Sequence, residues 1–303
     1  MTATDENRFR VETVEYEPAL PELRVVRETV FVHEQQVPLD LEWDALDPRC
    51  VHVLARDAAG NPIGTGRLTP ERKIGRMAVI AGWRGRGVGD ALLAALLEAA
   101  RGHGWREVSL NAQVSALDFY ARHGFLPQGE RFDEAGIEHQ SMRLLLDSPN
   151  PVEFREAAIA ASIGVIAGAR RYLHIYTREL DPGLLDAPGV LAALRRLATR
   201  GGETQILLHD AANPQRRGAP LIALGQRLPS AFAFRVIEEP VDLEYPSAYM
   251  VNDAGGYLFR PLGHRSDGET RLDAPGRARQ LRSTFDEPWQ RARPCSEFRA
   301  LGI

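Results

Sequence analysis

The chain is nearly without lysine. Lys73 is the only one among 37 basic residues, so residues 151–303 hold none. That absence excludes chemistry in the second half that needs an ε-amino group as phosphate clamp. Cysteine is scarce too. Cys50 and Cys295 stand one in each half. Two distant thiols make neither a disulfide framework nor a zinc pattern, so a reducing, cytoplasmic setting and no metal are expected. Met1–Asn7 lacks the basic and apolar regions of a secretory signal. No apolar run reaches membrane-spanning length, and no membrane partner is expected. A large charge surplus is also missing. The net charge of −4 divides into −6 over residues 1–150 and +2 over residues 151–303. Neither half looks able to hold a phosphate backbone, which argues against a nucleic-acid partner.

What is present is enough apolar material for two ordinary domains in 303 residues. Asp147-Ser148-Pro149-Asn150-Pro151 is the best boundary, because two prolines in a polar pentapeptide disfavour helix and strand alike. It sets domains at 1–148 and 152–303. In the first, Pro21–Phe31 reads as a helix and Val51–Ala55 as a strand. Asp57–Asn61 is a turn into an extended Pro62–Leu68, and Arg76–Ile80 is another strand. Val88, Leu92, Leu93, Leu96, Leu97 and Ala100 share one face of a helix over about Val88–Arg101. Glu107–Asn111 is a strand, and Ala116–His123 is a short helix stopped by Gly124. The second half alternates helix and strand from Ala157 to Val236, as a sheet flanked by helices requires. The fold class is therefore α/β twice over.

The most informative stretch is Trp83-Arg84-Gly85-Arg86-Gly87-Val88-Gly89-Asp90. Its glycines let the backbone turn tightly and approach a ligand. The helix start behind them offers unpaired N–H groups and the positive end of a dipole. Together they make an anion cradle suited to a pyrophosphate.

Arg84-Gly85-Arg86-Gly87-Val88-Gly89 resembles motif A of the GNAT superfamily of N-acetyltransferases. Ala116-Leu117-Asp118-Phe119-Tyr120-Ala121-Arg122-His123-Gly124-Phe125 resembles its motif B helix. The resemblance covers roughly residues 8–146. Val30–Pro38, Glu42-Trp43-Asp44, Asp47, Gly64–Leu68 and Gly136–Met142 look like the ElaA/YjcF-type branch. It implies a mixed sheet with flanking helices and acetyl-CoA as co-substrate. Arg84, Gly85, Arg86, Gly87, Val88 and Gly89 would meet the pyrophosphate. Met77, Ala78 and Val79 would pair with the pantetheine arm. The next strand would splay away to open a slot for the thioester, with Asn111 beside it. Tyr120 would be the general acid that protonates the departing thiolate. The acceptor would be a small amine or a peptide amine. Glu34, Glu42, Asp44 and His139 are candidates to take its proton or to bind it, although His139 reads more readily as a structural histidine in a late strand than as a base. Glu34 and Gln35 have an equally good reading as a brace for the first helix. Asp47, Cys50 and His52 read as structural rather than metal-binding.

In the second half, Tyr172–Thr177, Tyr249–Gly255 and Phe285–Trp289 resemble one half of a phospholipase D-like fold. Aligning Asp253 with that family's aspartate puts Pro246 and Ala248 where its histidine and lysine belong. The resemblance thus implies a non-catalytic binding or dimerisation module, and a homodimer as the form in which two halves meet. An alternative for the whole chain is an acetyl-CoA sensor whose second domain contacts a partner.

Overall fold

A computed structural model describes residues 8–298. The Met1–Asn7 stretch, read above for a signal, lies outside the described residues. Two compact units emerge. One comprises the chain to Gln113 together with Glu130–Asp147; the other comprises Val114–Gly129 together with the chain from Ser148.

The first unit opens with β1 (Phe9–Val14) and α1 (Tyr16–Arg27), which widens into a π-helical stretch over Glu28–Glu34. A short α2 (Leu39–Glu42) follows, then β2 (Val51–Asp57), β3 (Pro62–Leu68) and β4 (Lys73–Val79). Next come α3 (Val88–Gly102) and β5 (Glu107–Gln113). After α4 (Leu117–Arg122), β6 (Leu126–Glu134) and β7 (Ile137–Leu145) complete a sheet of order β1-β2-β3-β4-β5-β7-β6. The β4–β5 pair is parallel, while β1–β2, β2–β3, β3–β4 and β5–β7 are antiparallel. The sheet is thus mixed. Helix α3 buries the six apolar residues expected of it and packs against β2, β3 and β4. Helix α1 also packs on β3. Both faces of β3 are therefore covered, and six of its seven residues are buried.

The second unit contains β8 (Asn150–Val152), α5 (Arg155–Gly168), β9 (Tyr172–Thr177), α6 (Pro188–Thr199) and β10 (Glu203–Leu208). There follow α7 (Ala212–Arg217), α8 (Pro220–Arg227), β11 (Phe232–Val236), α9 (Pro240–Leu243) and β12 (Ala248–Asn252). Last come β13 (Tyr257–Arg260), β14 (Gly268–Arg271), α10 (Pro275–Arg291) and β15 (Arg293–Pro294). The sheet runs β15-β11-β10-β9-β12-β13-β14-β8. Its centre, β9-β10-β11, is parallel, and β12, β13 and β14 return antiparallel. This is a second α/β fold.

One expectation fails at Asn150-Pro151. These residues were to lie in a segment that is neither helix nor strand, yet they form β8 with Val152. The reason is position. β8 lies at the sheet edge and pairs only with β14, so Pro151 costs no ladder hydrogen bond on its outer side.

Helix α4 belongs to the second unit because it packs on α5. Ala121 and Leu126 share a core with Ala161, Ile163 and Val165. The approach is close at Gly164, where a Cβ would lie 2.7 Å from the Ala121 carbonyl oxygen.

Among the described residues, no helix is long and apolar enough to cross a membrane. Both cysteines are free thiols.

Candidate active site

Strand β4 sets the geometry. Opposite Gly66, two residues of β4 stand where one would normally sit, and Arg76 takes a left-handed φ of 50°. This is a β-bulge, and it turns the strand. The parallel ladder to β5 holds only at Lys73↔Ser109 and Ile74↔Leu110. Beyond those pairs the two strands part. Met77, Ala78 and Val79 thus lie on the diverging half of β4, with Asn111 on the diverging half of β5.

The bulge is held by its own side chain. Arg76 Nε donates to the Glu42 carbonyl at 3.0 Å and Nη2 to the Leu41 carbonyl at 3.1 Å. Glu42 in turn sits in a buried charge network. Arg27 donates to its carboxylate at 2.5 Å and to Asp47 at 2.9 Å, and Arg67 reaches Asp47 and Asp44 at 2.6 Å each. Arg27 also lies 3.9 Å from the centre of the Trp43 ring. Glu42-Trp43-Asp44 and Asp47, which carry part of the resemblance, thus close around Arg27, Arg67 and Arg76. Hydrogen bonds from Arg67 hold Asp44 down at about 2. Burial alone would raise Asp47, but Arg27 and Arg67 keep it below the usual carboxylate range. Burial pushes Glu42 up against the pull of Arg27 and Arg76. His52 bonds the Asp47 carbonyl at 2.8 Å. No group of His, Cys, Asp and Glu suited to a metal ion occurs among the described residues.

The glycine loop follows β4 directly. Gly85 and Gly87 have φ of 73° and 84°, conformations that side chains strain to adopt. A Cβ at Gly82, Gly85 or Gly87 would meet nothing within 4 Å, so open space lies over the loop. Gly87 is the residue before the first turn of α3, whose leading N–H groups have no partner within the helix. An anion fits this cradle in charge and in room. Arg84 donates to both oxygens of Glu34, at 2.6 and 2.7 Å, and to the Val79 carbonyl at 2.9 Å. Those bonds lower the Glu34 pKa. Arg86 lies over the Trp83 ring, 5.1 Å from its centre.

On the far side of the parting, β5 and β7 present a polar row. Asn111 stands opposite Ser141 and Gln113 opposite His139. Ser141 donates to Asn111 at 3.2 Å, Asn111 reaches Glu134 at 3.3 Å, and Gln113 donates to Gln35 at 2.9 Å. His139 holds the Ile137 carbonyl with Nδ1 at 2.8 Å, which makes Nδ1 the protonated nitrogen and Nε2 the basic one. Gln113 and Ser141 were missed in the sequence. The alternation Glu107-Val108-Ser109-Leu110-Asn111-Ala112-Gln113 could have found Gln113, since period two puts it on the face of Asn111.

Tyr120 is buried in α4 within the second unit. Its ring meets Phe119 and Phe125 edge-on, at 4.9 and 5.9 Å. Burial pushes its pKa up to about 12.

The two halves of the chain resemble different known proteins. Residues 20–146 match the family described as "Acetyltransferase (GNAT) domain". Residues 154–301 match a different family, "Domain of unknown function (DUF7931)", which does not bear the phospholipase D-like description. The Uncharacterized N-acetyltransferase YjcF of Bacillus subtilis is 38% identical over 130 residues, 42% of this chain and 92% of that protein. UPF0039 protein sll0451 of Synechocystis is 33% identical over 131 residues, 41% of this chain and 84% of its own. The crystal structure of Escherichia coli ElaA is 27% identical with a TM-score of 0.41, covering 45% of this chain and 99% of that one. Through its first half, the chain belongs to the GNAT acetyltransferase family.

Proposed function

We propose that the protein is an N-acyltransferase that moves an acetyl group from acetyl-CoA to a small amine or a peptide amine. The observation that carries this is the parting of β4 from β5 after Ile74↔Leu110, directly ahead of the glycine loop. The freed backbone of Met77, Ala78 and Val79 would hold the pantetheine arm by strand-like pairing. The loop from Arg84 to Gly89 would hold the pyrophosphate on N–H groups and the helix dipole. Arg84 must leave Glu34 to add its own bonds to phosphate. Asn111 would steady the thioester end.

The reaction follows from the groups assigned. The amine nitrogen attacks the thioester carbonyl carbon, an N–C bond forms and the C–S bond breaks. One proton leaves the amine for His139 Nε2, and Tyr120 gives one to the departing sulfur. Among the four acceptor-side candidates, Asp44 is too weakly basic at about 2 and Glu42 is buried among guanidinia. Glu34, released once Arg84 turns to phosphate, is the alternative to His139. A phenol near 12 stays protonated and releases its proton only as charge develops on sulfur. For the second half, we keep the phospholipase D-like architecture without its activity as a proposal. The family's lysine has no candidate in residues 151–303. The half should release nothing from phosphodiester substrates. If two such halves pair, light scattering gives twice the mass of one chain.

Calorimetry with acetyl-CoA tests the site. Wild type should bind saturably and Gly87→Glu should not, with unchanged circular dichroism. Gly87→Ala carries the same backbone strain without the carboxylate and should fall between. Equal affinity in all three would place the cofactor elsewhere. A panel of amines scored for free thiol tests the reaction. Binding without turnover on any amine would favour the sensor.

A further inference from the structure

The second unit holds a cavity of about 320 Å³ that plays no part in acyl transfer. Its floor is the sheet, with Tyr172 and His174 from β9 and Gln205 from β10. Its wall is one face of α10, with Arg282, Asp286 and Gln290 at i, i+4 and i+8.

These side chains are set up for a guest. His174 lines the cavity with its ring stacked on Phe285, 4.7 Å between centres and 14° from parallel. Its Nδ1, which has no hydrogen-bond partner among the described residues, is sealed off from the opening. Arg282 and Asp286 are one helical turn apart, yet neither forms an ion pair or hydrogen bond among the described residues. Two largely buried carboxylates of this unit, by contrast, are held by guanidinia, Asp181 by Arg260 and Asp242 by Arg291. Burial lowers the His174 pKa, which keeps the imidazole neutral. The cavity therefore offers one cation, one anion, two carboxamides and a neutral imidazole.

This inventory selects a ligand class. A phosphorylated ligand would bring two charges to a single guanidinium and face Asp286. A simple cation would face Arg282. A molecule with both charges meets neither objection. The volume lies at the small end of ligand cavities, roughly 300–1,000 Å³. We propose that this cavity binds a small zwitterion of the α-amino-acid class, its carboxylate on Arg282, its ammonium on Asp286 and a polar group against His174. The proposal does not rest on the acyl-transfer reading.

The test is calorimetry on the full chain with the standard amino acids at millimolar concentration. At least one should bind saturably. Its N-acetyl derivative, which lacks the ammonium, and its decarboxylated amine should each bind more weakly by about tenfold or more. Arg282→Gln and Asp286→Asn should weaken the parent ligand to a similar degree at unchanged Tm, since Asp286 is exposed, Arg282 is half-buried and neither is ion-paired among the described residues. Gly87→Glu should leave this binding intact. Three results would overturn the proposal: no amino acid binds, binding is indifferent to both α10 substitutions, or binding is lost in Gly87→Glu alone, which moves the site to the first unit.

Discussion

At Tyr120 a single oxygen carries a sharp prediction. Tyr120→Phe keeps the ring and its edge contacts with Phe119 and Phe125. Turnover should fall about a hundredfold, with acetyl-CoA affinity unchanged by calorimetry. A general acid must be protonated, so its alkaline limb sits at its pKa. With burial holding Tyr120 at about 12, kcat should not drop between pH 9 and 10, where an ordinary phenol would begin to ionise. A drop there that is absent in Tyr120→Phe would contradict the burial. Asp44 makes the opposite kind of prediction. Its folded pKa of about 2 lies below the unfolded value near 3.9. Its contribution to stability is therefore full above pH 4 and is lost as pH falls toward 2. Asp47 is depressed in the same sense. Melting temperature measured from pH 5 to 2 should fall, and Asp44→Asn should flatten part of that slope. Asp47→Ala should be far harsher. It strips the buried Arg27 and Arg67 of a shared carboxylate, at about 3–5 kcal/mol by denaturant titration. Little of this was legible in the sequence. Glu42 and Asp44 look like bases when read as carboxylates in a row, because the guanidinia that occupy them come from positions 27, 67 and 76.

Elements were easier to read than their partners. The face of α3 follows from a 3.6-residue period, and the glycine loop from spacing alone. The alternation expected from Ala157 to Val236 is met by β9, β10 and β11 with helices between them. What the chain does not announce is which elements meet. Ala116–His123 reads as a short helix, but nothing local says that it will lie against α5. The contact is written at Gly164, a glycine in mid-helix that intrinsic propensity disfavours. Gly164→Ala would improve α5 in isolation by about 1 kcal/mol. Here it should instead destabilise the protein by about 1–3 kcal/mol, because the new methyl must displace the Ala121 carbonyl. A stabilised Gly164→Ala variant in chemical denaturation would mean that α4 and α5 have room to spare. The same limit explains β8. Local composition argues against a strand at Pro151, and only the partner β14 makes it one.

For the whole molecule, the boundary at 147–151 separates the chain less cleanly than composition suggests. Val114–Gly129 lies in the first half of the sequence but in the second compact unit. A fragment beginning at 152 would lack Ala121 and Leu126 from its own core. It should melt well below the corresponding transition of the full chain and bind dyes that report exposed apolar surface. A fragment with the full chain's stability would show that α5 needs no cover from α4.

The same interleaving has a consequence during synthesis. A ribosome releases α4 while α5 and everything beyond it are still unmade. At elongation rates of about 5–20 residues per second, the tail that completes its bed follows only after many seconds. The helix that bears Tyr120 must wait for residues yet to be translated, and a prematurely terminated message would leave it without its neighbour.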